Sequence, residues 1–123
     1  MVPGEARFEA TGRVASQLRK GVLEYCVLAL LRDGPRYGVE ILSELAAVSV
    51  MTTSQGTIYP LLSRLRREQL VDTELRESAT GPARRYYTLT ASGRAALAEF
   101  SESWPYFRDG VDHFLAAPTG GSA

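Results

Sequence analysis

The stretch Ser54-Gln55-Gly56-Thr57-Ile58-Tyr59-Pro60-Leu61-Leu62-Ser63-Arg64-Leu65-Arg66-Arg67 reads as a short helix with two unlike faces. Ile58, Leu61, Leu62 and Leu65 recur at the i, i+3, i+4, i+7 spacing that gathers apolar side chains on one core-facing stripe. Gln55, Thr57, Tyr59, Ser63, Arg64 and Arg67 lie off that stripe, with Ser54 just ahead of it. These are hydrogen-bonding, aromatic and cationic groups, the kinds that read base edges and hold phosphates. Thr53 or Ser54 suits the N-cap. Pro60 lacks the donor that would bond the Gly56 carbonyl, so the expected helix starts at Gly56 or Thr57, with Pro60 in its first turn.

Upstream, Leu18, Val22, Tyr25, Cys26, Ala29 and Leu30 form a helical apolar stripe between Ser16 and Arg32. Asp33-Gly34-Pro35 ends that helix. A second helix is expected from Tyr37 to Val48, with Ile41, Leu42 and Leu45 inward and Glu40 and Glu44 outward. Downstream of Gln69 the period changes to alternation, giving strands at Leu70 to Glu77 and Arg85 to Leu89. The small, polar segment between them, residues 78–83, suits a hairpin loop. In the second strand Arg85, Tyr87 and Leu89 share one face, and Arg84, Tyr86 and Thr88 the other.

A long last helix follows Thr90, with Leu97, Phe100, Trp104, Phe107, Val111 and Phe114 at alternating spacings of three and four. That is the seam of a helix meeting a partner helix. Such an apolar stripe is too large to leave in water, so a second copy is the expected cover. Pro105 is expected to kink the helix and Gly110 to weaken it. The expected organisation is a flexible arm over 1–15, a winged helix-turn-helix over 16–90, a dimerisation helix over 91–117 and a disordered tail over 118–123. The fold class is mainly α with a small β-hairpin.

Composition sets bounds on function. The 123 residues fit one domain, and 45% hydrophobic content suits a globular chain. No apolar run is long enough to span a bilayer, no signal-cleavage pattern opens the chain, and the single Cys26 cannot form an internal disulfide. A cytoplasmic location without membrane attachment is expected. Cys26 itself suits a small hydrophobe on the first helix. Formal charge is zero, yet six arginines face four acids between Ser54 and Tyr87, and two face four acids after it. The local field, not the total, decides what that segment attracts.

An enzyme is disfavoured. His113 is the single histidine and lies far along the chain from Cys26; no glycine-rich phosphate loop follows a strand. No metal-ligand spacing occurs, and no cofactor is expected. A helix fits the major groove, and a thin hairpin can lie along the neighbouring backbone or minor groove, which places Arg84 and Arg85 to meet phosphates or a narrow minor groove. The alternative is a winged-helix module for protein–protein contact, without specific DNA binding.

Tyr37-Gly38-Val39-Glu40-Ile41, Gly56-Thr57-Ile58-Tyr59-Pro60 and Arg84-Arg85-Tyr86-Tyr87-Thr88-Leu89-Thr90 resemble the PadR family of bacterial winged-helix regulators. The resemblance runs from about Leu18 to Leu115 and is nearest to the short subgroup with one C-terminal helix. It implies a homodimer on a pseudo-palindromic operator, usually as a repressor. It implies DNA contact by Gln55, Thr57, Tyr59 and Arg64, and phosphate contact by Tyr37 and the wing. It further implies a dimer interface built from the last helix with the first, which carries Leu18 and Val22. Trp104 then has two readings. It is either an interface aromatic or, with Phe100 and Phe107 beside it, a stacking surface for a small planar aromatic effector.

Overall fold

The structure, a computed structural model, describes residues 12–116. The expected arm lies outside the described residues up to position 11, and the expected tail lies wholly outside them. The chain runs α1 (Arg13–Leu31), β1 (Arg36–Tyr37), α2 (Gly38–Ala46), a 3-10 turn (Ser49–Met51) and α3 (Gln55–Arg67). The wing follows as β2 (Val71–Ser78) and β3 (Gly81–Leu89), and α4 (Ala91–Leu115) closes it. β3 is central in an antiparallel sheet ordered β1-β3-β2.

The core lies where α1, α2, α3 and the sheet meet. Val27, Leu28, Ile41, Ile58, Leu62 and Leu65 are each fully buried there, and Leu61 packs against them at the edge. The periodicity of α3 therefore translates directly into burial. In α1 it does not. The inward residues are Leu23, Val27, Leu28 and Leu31, whereas Leu18, assigned with Val22 to the expected dimer interface, is 64% exposed. The helix has two apolar faces, and the regular stripe Leu18-Val22-Tyr25 belongs to the outer one. Cys26 is half-buried with its Sγ 3.9 Å from the Met51 Sδ, and burial pushes its thiol pKa up. It packs as a hydrophobe.

Ends and turns follow local chemistry. Gly34, at φ +146°, takes the chain out of α1 through a conformation other residues avoid. The Glu40 carboxylate accepts from the Tyr37 backbone N–H at 3.1 Å and caps α2. Ser54 is the N-cap of α3, its carbonyl accepting from Thr57 and Ile58 at 3.1 and 3.0 Å. The helix therefore starts at Gln55, and Pro60 stands in the second turn rather than the expected first. The carbonyl left without its donor belongs to Gly56, which is exposed. At the other end Gln69 adopts φ +62°, and its N–H and that of Leu70 bond the Arg66 and Leu65 carbonyls. This is a helix terminus of the Schellman type, made without glycine.

One further expectation is corrected. The hairpin turn is only Ala79-Thr80, because Ser78 pairs with Gly81 and β3 reaches back well before Arg85. α4 runs from Ala91 to Leu115 with Pro105 inside it, and the Ser101 carbonyl that loses its donor there is on an exposed residue. Thr90 caps α4, its hydroxyl accepting from the Gly93 N–H at 2.9 Å and donating to the Gln69 carbonyl at 2.7 Å. No helix among the described residues is long and apolar enough to cross a membrane.

Candidate nucleic-acid interface

With Ile58, Leu62 and Leu65 turned inward, α3 leaves Gln55, Thr57, Tyr59, Ser63 and Arg67 exposed, with Ser54 at its start. The Ser54 hydroxyl lies 3.4 Å from that of Thr57. Tyr59 leans over the first residue of α2. A Cβ on Gly38 would come within 2.6 Å of the Tyr59 hydroxyl oxygen, so only glycine lets the ring lie there. Tyr59 thus joins the α3 face to the start of α2, next to Tyr37.

Tyr37 in turn joins that region to the wing. β1 pairs Tyr37 with Tyr86, and the two rings meet edge to face with centroids 5.3 Å apart. The Arg84 guanidinium lies over the Tyr37 ring at 4.6 Å, and that of Arg76 over the Tyr86 ring at 4.5 Å. Glu74 accepts from the Arg76 Nε at 2.7 Å. Arg76 and Tyr86 belong to this cluster although sequence reasoning named neither as a site residue. Alternation in β2 puts Arg76 on one face with Glu74, but its position opposite Arg84 required the register. β1 was missed because two residues show no alternation.

Arg85 points to the other face of the hairpin, where it donates to the Thr73 hydroxyl at 2.9 Å. On that face Tyr87 is buried, which pushes its pKa up, partly offset by the charges of Arg85 and Arg66. The two wing arginines therefore serve different sides. Arg64 also departs from the rest of its face. Its Nη2 meets the Glu24 carboxylate of α1 at 3.1 Å, and its Nη1 meets both Glu68 oxygens at 3.2 Å. Burial pulls the Arg64 pKa down, but Glu68 and Glu24 outweigh it and hold the guanidinium above its ordinary value.

The expected seam divides in two. Leu97 is buried in the core of its own chain, because the first turns of α4 pack against β3; this removes it from the surface where a partner was expected. Beyond it, Tyr25, Phe100 and Trp104 form a ladder: the first two rings stack at 4.2 Å and 8°, the second and third at 5.8 Å and 23°. The ladder walls a groove of about 850 Å³ between α1 and α4 that also holds Leu18, Val22 and Phe107. Further along, Phe107 is 70% and Phe114 87% exposed, with Val111 between them also exposed.

This arrangement has close parallels. Residues 27–99 match the transcriptional regulator PadR-like family. The Transcriptional regulator Rv3488 of Mycobacterium tuberculosis is 34% identical over 68% of this chain and 76% of its own length. A PadR-like transcription factor from Bacteroides fragilis is 41% identical, covering 84% of this chain and 99% of that one, with a TM-score of 0.68. A PadR-like transcriptional regulator from Bacillus cereus is 38% identical over 82% and 98% of the two chains, with a TM-score of 0.73. A family match spanning more than half of the sequence, on a fold that puts a polar helix face beside a wing, has one reading. The chain belongs to the PadR-like family of DNA-binding transcriptional regulators.

Proposed function

We propose that this regulator is a homodimeric repressor that binds a pseudo-palindromic operator through α3 and the wing. The observation that carries the reading is the continuity from Tyr59 over Gly38 to Tyr37, Tyr86 and Arg84. One surface then serves base edges and backbone together. In this reading Gln55, Thr57, Tyr59 and Ser63 meet the major groove, with Ser54 and Arg67 at its margins. Tyr37, Arg84 and Arg85 meet phosphates. Arg64 contributes as far as its two carboxylates release it.

The exposed stripe Phe107-Val111-Phe114 supports a dimer, since apolar area of this extent is seldom left to water. Leu18, Val22, Phe100 and Trp104 border it and belong to the same interface. A small planar aromatic molecule entering the Tyr25-Phe100-Trp104 ladder is the proposed releasing signal.

The deciding experiment is an electrophoretic shift with DNA taken from upstream of the protein's own gene. Six to ten neutralised phosphates predict an affinity loss of about 10³- to 10⁵-fold between 50 and 200 mM salt. Weak association that ignores salt would instead favour the winged helix as a protein–protein contact module. Quenching of Trp104 fluorescence by planar aromatic compounds, with parallel loss of the shift, tests the releasing signal.

A further inference from the structure

The three charged residues of α3, Arg64, Arg66 and Arg67, are all cationic. At Arg64 the guanidinium is shared by two carboxylates, Glu24 from α1 and Glu68 at the C-cap of α3. That trio carries a formal charge of −1 on the flank of a helix that must approach phosphates. The hydrogen bonding sharpens the point. Bidentate contact with a phosphate or a guanine edge uses adjacent N–H groups of the guanidinium fork. Here Nη1 is given to Glu68 and Nη2 to Glu24, so both terminal nitrogens are engaged.

The two carboxylates are unequal. Glu68 is half-exposed and pairs at i,i+4, an interaction worth only a few tenths of a kcal/mol that water and salt readily displace. Glu24 is the less exposed of the two and reaches across from a different helix. It therefore decides which way the Arg64 side chain turns.

Building on the DNA-binding reading, we propose that Glu24 is a positioning residue that holds Arg64 toward α1 and away from DNA. The contact keeps the affinity of the helix below what its arginines could supply. A repressor so restrained leaves its operator more readily than the same helix with Arg64 free.

The test compares the wild type, Glu24→Gln, Arg64→Ala and the double variant. Each is titrated onto two duplexes of equal length, one from upstream of its own gene and one of mixed sequence, between 50 mM and 1 M salt. Glu24→Gln keeps the size and polarity of the side chain, and circular dichroism melting checks that it folds; Glu24→Ala repeats the comparison independently. Release of Arg64 adds one phosphate contact. The salt slope should then steepen by about 0.9, and binding should tighten about five- to ten-fold at 0.1 M salt while converging near 1 M. In the Arg64→Ala background the same Glu24 change should do nothing.

Unchanged or weaker binding by Glu24→Gln, with the wild type binding normally, overturns the proposal. So does equal tightening with and without Arg64, since the effect would then be general charge. A wild type that binds neither duplex in a salt-dependent way overturns the DNA-binding reading itself.

Discussion

Gly93 lies where the first turn of α4 crosses the entrance to β2. A Cβ there would run into the Leu70 carbonyl oxygen and lie 2.7 Å from the Leu89 Cδ1. The Leu70 carbonyl cannot swing aside, because it accepts from the Thr90 N–H at 3.2 Å. Alanine improves helix propensity by about 1 kcal/mol, but forced overpacking against backbone costs more. Gly93→Ala should therefore lose about 2 kcal/mol, read as a lower urea midpoint. Tyr87 makes a different prediction. Burial raises its folded pKa above the ordinary value of 10.0, so the folded state holds its proton when the unfolded chain has lost it. Stability should be level below pH 10 and fall as pH rises through that value. Tyr87→Phe should flatten the fall in denaturation curves taken from pH 8 to 11.

Among the elements, the wing offers the clearest separation of roles. Arg84 rests on Tyr37 and Arg85 on Thr73, on opposite faces of one strand. Both lie on the wing rather than on α3, so both are expected to act on backbone. Arg84→Ala and Arg85→Ala should each weaken binding to all sequences alike and lower the salt slope by about one, measured by fluorescence anisotropy. An Arg84→Ala protein that lost preference among sequences instead would argue for minor-groove reading. How far these elements could be read from sequence depends on how their apolar residues are used. Ile58, Leu62 and Leu65 serve one environment, so period and burial agree in α3. α1 serves two, the core and the groove, and its more regular stripe turned out to be the outer one. The Tyr37–Tyr86 contact, and with it the union of α3 and wing, came from a two-residue strand that has no local signature. Arg64 looked like its neighbours, since only tertiary packing brings Glu24 beside it.

At the scale of the whole molecule, the exposed end of α4 is the part most in need of a partner. Phe107→Glu or Phe114→Glu would put a charge into the proposed seam. Either should give a monomer in analytical ultracentrifugation and lower operator affinity at least ten-fold, while melting of the winged domain shifts little. The helix that carries this seam is also tied at its other end. Thr90 bonds both Gln69 at the foot of the wing and Gly93 in the first turn of α4, so helix and wing turn together. Twenty-five residues of helix reach about 37 Å, close to one turn of B-DNA. In the proposed dimer α4 would thus act as a lever pivoting on the seam at Phe107 and Phe114. A tilt of about five degrees there sweeps the near end through about 3 Å, close to one base-pair step. In the proposed dimer, a contact too small to see as a change of fold would be enough to move the two readers out of phase with their DNA.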